Sequence, residues 1–510
     1  MKHYSHLVKK GATLLGLALA SISFAIDYEV RPLHMGNAIA AEAYGINDKG
    51  EIVGSFQLVA GGKSFPCMWR NGLLYILPTP ASSMQNRAVR INNNSQAVGW
   101  TQISSGGSSY YRGAYWELGD PLVTMNTVTG TVTDNSFASA INDAGQVVGY
   151  GDGIVSVNIL MNGDQGVRWT KSGGANPLNI GLIFQDQNAY TRLTAVNSFG
   201  TACGYGQDES GNDHVIRHKN TLQDMGVPVG MTKALATGIN DAADMSVTAK
   251  SGSNPHRAYR WTTLGGFSML PVYSGLSTYS HITTDINESG HVIGHATGSG
   301  NFFPLIWRDG GVIKINDMLI NTNGWKISEV NDLSDRGEMV GFATNATTGQ
   351  SAPAIVSPVQ YVNITVGLSD WMAGATGVPC QVRFEDLATG NLIDQRNVTL
   401  VGAGSVGTAT VPTFAQGNVK VIVKPWHWLS KSFTRNLAAH ATVTASGTYA
   451  NGDIDGDDEV SILDYIILSA TFGTEAGQLG FDVDADLDGD SVVSILDYLI
   501  LSKNYGTSGA

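Results

Sequence analysis

Apolar positions follow three rhythms along the chain. From Ile46 one phrase returns: an aliphatic residue, Asn, often Asp, a spacer, Gly, a spacer, two apolar residues and Gly, as in Ile46-Asn47-Asp48-Lys49-Gly50-Glu51-Ile52-Val53-Gly54. Further copies, some degenerate, begin at Ile91, Ile141, Val196, Ile239, Ile286 and Leu333. The second column falls at Asn47, Asn92, Asn142, Asn197, Asn240, Asn287 and Ser334, at intervals of 43 to 55 residues. A landmark trails it by 20 to 27 residues: Trp69, Trp116, Trp169, His218, Trp261, Trp307 and Val356.

Asn-Asp-x-Gly is a turn, because the Asx side chain caps its own backbone and Gly takes positive φ without a steric penalty. The residues behind it, such as Gln146-Val147-Val148, are strand formers. A period near 45 with short strands and one aromatic per unit predicts seven four-stranded units over 26–357, the blades of a β-propeller. A solenoid is the alternative, but the shorter period of such repeats is missing. No strand is evident after Val356, whereas an orphan strand at 28–33 precedes the first unit. That strand is expected to complete the last blade and remove an open edge.

The second rhythm runs over 358–450, where short alternating stretches at 362–367, 380–385, 397–401, 419–423 and 440–444 predict a small β-sandwich. Trp426 and Trp428, with His427 and Lys431 nearby, read as packing residues, with a sugar-stacking surface as the alternative.

The third rhythm occupies 451–510, where two apolar helical runs, SILDYIILS and SILDYLILS, each follow an acidic loop. Asp453, Asp455, Asp457 and Asp464 hold loop positions 1, 3, 5 and 12, and Asp486, Asp488, Asp490 and Asp497 repeat them 33 residues later. Such a loop wraps a hard cation with oxygens from these side chains and from the carbonyl of position 7, here Glu459 and Val492. Two Ca2+ ions are therefore expected, with Ser461 and Ser494 at position 9 acting through water. Magnesium suits a multi-carboxylate cage less well. The helices are apolar nearly all round, so the adjacent sandwich or a partner protein must cover a face.

Charge sharpens this division. The net charge is −13, which argues against nucleic acid as a partner. The last sixty residues carry 13 acidic side chains against Lys503, and the remainder is close to neutral. The three cysteines, Cys67, Cys203 and Cys380, are far apart, lack metal spacing and read as small buried hydrophobes. At the N-terminus Lys2, Lys9 and Lys10 precede an apolar run over 12–24 that ends Ser23-Phe24-Ala25. This is the pattern of a signal peptide cleaved after Ala25, and no later run is long enough to span a bilayer. A secreted or cell-surface protein is expected.

Three resemblances follow from these motifs. The repeats resemble the HAF-type extracellular repeats of bacterial secreted proteins, which implies a propeller-like exported scaffold. The stretch VIVKPWHWLSKSF is similar to prealbumin-like or carboxypeptidase-regulatory-like modules. The twin loops resemble a type I dockerin, a paired EF-hand-like helical module, which implies two bound calcium ions and docking onto a cohesin. The chain departs from that pattern at position 6, Asp458 and Ser491 in place of Gly. It departs again at positions 10 and 11, where Ile462-Leu463 and Ile495-Leu496 replace small polar residues.

No G-x-S-x-G, H-E-x-x-H or Walker loop is present, and the repeat carboxylates Asp48, Asp143 and Asp241 lie in turns. The reading is a mainly β, non-enzymatic, exported binding or surface-assembly protein with a cohesin-like or cell-surface partner and a possible glycan ligand. The alternative is a polysaccharide-degrading component with a carboxylate pair in the propeller funnel.

Overall fold

The computed structural model describes residues 27–510 apart from 106, 128–133, 153–154, 157–158, 161–163, 170–174, 178–189 and 209. The expected leader, 1–25, lies outside the described residues. The chain is mainly β. Among the described residues, seven sheets of four or five strands follow one another along the first two-thirds, with a two-stranded pair, Val155–Ser156 and Ile159–Leu160, inside the third unit. The first comprises Ala40–Ile46, Ile52–Gln57, Ser64–Arg70 and Leu73–Ile76, all antiparallel. The five that follow repeat this order, each beginning on the strand that carries the aliphatic-Asn phrase.

Every first strand carries a register shift at the same place, for example between Ala43 and Gly45, Ala88 and Arg90, and Ala236 and Gly238. A bulge there adds a residue to one strand and increases its twist. It recurs in all seven sheets.

The Asn column explains how the sheets are joined. Asn47 Nδ2 donates to the carbonyl of Asn92 at 2.9 Å, and Asn92 to that of Asn142 at 2.8 Å. Asn142, Asn197, Asn240 and Asn287 continue the chain as far as Ser334. Meanwhile Oδ1 of Asn47 accepts from the backbone of Lys49 and Glu51, which holds its own turn. One buried amide thus satisfies two backbones. The serine at 334 is too short to repeat the reach, and the circuit closes through the next column, where Asp335 N donates to Asp48 Oδ1 as Asp48 N does to Asn93 Oδ1, and through Ile46 N to Asp332 Oδ2 at 2.8 Å. The tryptophan column is buried, and the indoles of Trp69, Trp116, Trp169 and Trp307 each donate to a backbone carbonyl 35 to 43 residues upstream.

The orphan strand lies where the sequence placed it. Tyr28–Pro32 pairs antiparallel with Ser351–Pro358, from Tyr28 opposite Pro358 to Pro32 opposite Ala354. It joins Trp325–Leu333 and Met339–Asn345 in the seventh sheet. The N-terminal end of the described chain therefore covers the edge of the last repeat.

Eight strands between 360 and 449 form two four-stranded sheets that face each other across one core containing Val362, Ile364, Phe384, Val421 and Trp428. Two of these strands escaped the sequence reading. Val406–Thr413 and Lys431–Leu437 alternate small or polar residues, with little apolar signal. The segment read as one strand at 397–401 is divided between Leu392–Thr399 and Val401–Ala403. The predicted start at His440 is a turn with φ of 59°, and the strand begins at Thr442. This unit is clamped to the seventh sheet: Arg396 pairs with Glu29 at 2.6 Å, Tyr361 donates to Asp27, and the Arg31 guanidinium lies over the Phe414 ring. The three cysteines are buried and free.

Two helices complete the chain, α1 (Ile462–Thr471) and α2 (Ile495–Asn504). Each opens on a capping box, Ser461 with Asp464 and Ser494 with Asp497, which satisfies the orphan donors of the first turn. Among the described residues no helix is long and apolar enough to cross a membrane.

Candidate metal centre

Each acidic loop wraps back on the N-terminus of the helix that follows it. In the first, carboxylate oxygens of Asp453, Asp455 and Asp457 lie within 4.8 Å of one another; in the second, those of Asp486, Asp488 and Asp497 do. The position-12 residues close the loops. Asp464 Oδ1 accepts from Ile454 N and Asp455 N while Oδ2 accepts from Ser461 N, and Asp497 repeats this with Leu487, Asp488 and Ser494. In the first loop Asp464 thus stands apart from the converging trio, and in the second Asp490 does. Asp457 Oδ1 accepts from Glu459 N and Asp490 Oδ1 from Val492 N, so these aspartates position the residues whose carbonyls are expected to ligate. Ser461 and Ser494 accept from Leu463 N and Leu496 N as helix caps, a role the position-9 reading did not include.

The position-6 departures are accommodated. Asp458 and Ser491 adopt φ of 71° and 75°, the conformation that glycine takes without strain. Asp458 offsets that strain by accepting from Ser430 N and Ser430 Oγ at 2.7 and 2.6 Å.

The donor set fits a hard cation. All side-chain donors are carboxylate oxygens, and Asp453 Oδ1 is buried without a hydrogen-bond partner. Burial and mutual repulsion also push the carboxyls up: Asp453, Asp455 and Asp486 lie above the usual range, and Asp488 reaches about 6 through burial and the neighbouring Asp497. Concentrated negative charge of this kind is relieved by a cation or by protons.

The loops face the sandwich. Lys424 Nζ reaches Asp453 Oδ2 at 2.5 Å, Trp426 Nε1 donates to Asp484 Oδ1 at 2.6 Å, and Met372 N donates to Asp488 O at 2.8 Å. A Cβ on Gly489 would meet the Trp371 ring at 2.7 Å. Trp428 is fully buried and donates to Ser369 O, so the Trp426–Trp428 cluster is packing between the two units. None of Lys424, Trp371 or Asp484 was singled out from sequence, since only the fold brings them to the loops.

The helices turn their apolar faces outward. Ile462, Leu463, Ile466, Ile495, Leu496 and Leu499 are each 47–56% exposed, and the Tyr465 and Tyr498 rings meet edge to face between them. Leu468 and Leu501 supply the contact with the inner core.

Among the repeats, the residues ahead of the phrase in the second, sixth and seventh copies gather at one place: Arg90 lies 3.5 Å from Asp332, which hydrogen-bonds Asp285. Burial and Asp332 hold the Asp285 carboxyl well above its usual range. Asp48, Asp143 and Asp241 accept backbone hydrogen bonds from the neighbouring repeat, as turn residues.

Neither the family models nor the curated proteins contain a match to this chain. Solved structures similar to it include a type II cohesin–X–dockerin complex from Acetivibrio cellulolyticus, at 18% identity over 29% of this chain and 97% of that one, with a TM-score of 0.24. A prolyl endopeptidase shares 10% identity over 70% of this chain and 54% of its own, with a TM-score of 0.39. TolB from Acinetobacter baumannii shares 10% over 65% and 80%, with a TM-score of 0.32.

Proposed function

We propose that the chain is an exported, non-catalytic binding or surface-assembly protein, in which a seven-bladed propeller is the recognition platform and residues 451–510 form a calcium-stabilised attachment module. The observation that carries this reading is the division of labour in that module: both acidic loops turn toward the sandwich while the apolar faces of α1 and α2 stay open. Calcium would be held by Asp453, Asp455, Asp457, Asp464 and the Glu459 carbonyl, and by Asp486, Asp488, Asp490, Asp497 and the Val492 carbonyl. Bound there, it neutralises the carboxylates and locks the loops that aim the helices.

Packing on the sandwich and docking a partner are then complementary, because they use opposite sides of the module. The partner is a protein with an apolar, cohesin-like surface. The groove beside α2, lined by Met372, Leu496 and Leu499, extends the same apolar surface onto the sandwich. The alternative reading, a glycosidase in the funnel, loses support at Asp285 and Asp332. Glycosidase carboxyls stand about 5 Å or more apart to admit a sugar or water, whereas these two hydrogen-bond each other beside Arg90.

The test is calorimetric titration of the mature chain with calcium, followed by surface-resonance binding to a panel of cohesin modules with and without EDTA. Two calcium sites and EDTA-sensitive cohesin binding, reduced in Ile466→Ser and Leu499→Ser, are expected. No heat on titration, or release of reducing ends from any glycan, overturns the reading.

A further inference from the structure

The residue just after the closing glycine of each repeat forms a column of its own. In the second, third and fourth repeats it is Trp100, Tyr150 and Tyr205, paired across the sheet with Arg87, Phe137 and Arg192. The column beside it, Val98, Val148 and Cys203, is fully buried and fills the core between sheets. The aromatic column is left half-buried.

These rings make a continuous ladder over three sheets. Trp100 meets Phe137 at 6.2 Å, Phe137 stacks on Tyr150 at 5.2 Å, and the Arg192 guanidinium lies over Tyr150 at 4.6 Å, with Tyr205 beyond. Core packing does not require large rings at this position, since the first repeat manages with Ser55 and the fifth with Thr248. At its start, between the first two sheets, the ladder opens into a cavity of about 480 Å³ lined by Trp100, Arg87, Glu42, Gln57 and Gln85.

We infer that this ladder and its cavity bind a neutral polysaccharide chain, a site in the propeller that deepens the recognition-platform reading and rests on it. Three properties choose the ligand. Half-buried aromatic rings in series offer apolar contact without charge, which suits the C–H surfaces of successive pyranose rings. The cavity wall mixes carboxylate, amide and guanidinium groups, the donors and acceptors that hydroxyls require. Finally, both guanidinium groups already have carboxylate partners, Arg87 with Glu42 at 3.4 Å and Arg192 with Asp164. A uronate or phosphate polymer would therefore gain no unpaired cation.

The experiment is affinity electrophoresis and calorimetry of the mature chain in EDTA, which separates this site from the calcium module. The probes are cellohexaose, xylohexaose, mannohexaose and polygalacturonate. At least one neutral hexaose is expected to bind, with Kd raised about tenfold in Trp100→Ala and in Tyr150→Ala and close to wild type in Trp100→Phe. Melting curves of the three variants confirm that each is folded. The inference is overturned if no neutral hexaose binds, if only polygalacturonate binds, or if folded Trp100→Ala and Tyr150→Ala bind as the wild type does. A failed calcium titration with hexaose binding intact would remove the attachment module alone.

Discussion

Lys424 of the sandwich places its ammonium 2.5 Å from Asp453 Oδ2, the first position of the first acidic loop. The same group donates to the carbonyls of Trp426 and Trp428, so a cation from one unit is built into the anionic loop of the next. Among the described residues the second loop has no counterpart: Asp486 accepts from Gly489, Asp490 and Ser491 backbone groups.

The two loops are therefore expected to behave differently. Replacing Lys424 by Met strands a buried carboxylate, which should cost about 3 kcal/mol in EDTA. Saturating calcium should recover most of that loss, and the weaker of the two calcium sites should tighten. Thermal unfolding with and without EDTA, beside a calcium titration, reads both effects. Equal destabilisation in calcium and EDTA would contradict this account.

Calcium itself should stabilise the chain. At tenfold excess over Kd each site contributes about 1.4 kcal/mol. Asp488→Asn should abolish one binding step, and Asp453→Asn the other, with EDTA lowering the melting point of each form and Asp453→Asn lowest because it also breaks the pair with Lys424. Differential scanning calorimetry of the three proteins checks it.

The seventh sheet depends on its first-in-sequence strand. Val30 is buried in that strand and packs with Met339 and Val356. Val30→Asp would bury an unpaired charge and should destabilise the repeat domain by several kcal/mol. Proteolysis should then release fragments from 325–358 first, whereas the wild type resists.

Acid should loosen the sandwich–module contact through His427. His427 is buried between Trp426 and Trp428, and burial depresses its imidazole to about 4 from the ordinary 6.5. A base whose folded value is depressed binds fewer protons folded than unfolded, so stability is lost as pH falls from about 6.5 toward 4. The slope is about 1.4 kcal/mol per pH unit for one such group. His427→Gln should remove this destabilisation, leaving only the opposite slope of the raised Asp488 carboxyl over that window in EDTA, and an unchanged slope would assign the effect elsewhere.

Much of this architecture was legible because it is periodic. The Asn-Asp-x-Gly phrase announced seven turns, its spacing announced four short strands per turn, and the missing strand after Val356 pointed to 28–33 as its replacement. The strands at Val406–Thr413 and Lys431–Leu437 were not legible, because their alternating residues are Thr, Gly, Ser and Arg and their pairing is decided by the sheet neighbours. The bulge repeated in every first strand left no trace in composition, since it is a property of register between two strands.

What the sequence determined alone is local and repetitive: the seven-fold phrase, the twin twelve-residue loops, the capped helices and the concentration of acid in the last sixty residues. Such features depend on contacts between residues a few positions apart, and short-range spacing encodes them directly. Only the tertiary structure decided that Lys424 meets Asp453, that Arg90 pairs with Asp332 beside Asp285, and that Trp100, Phe137, Tyr150 and Arg192 form one ladder. Those pairings join residues that the chain holds far apart, and each exists because packing and register bring separate strands to the same place.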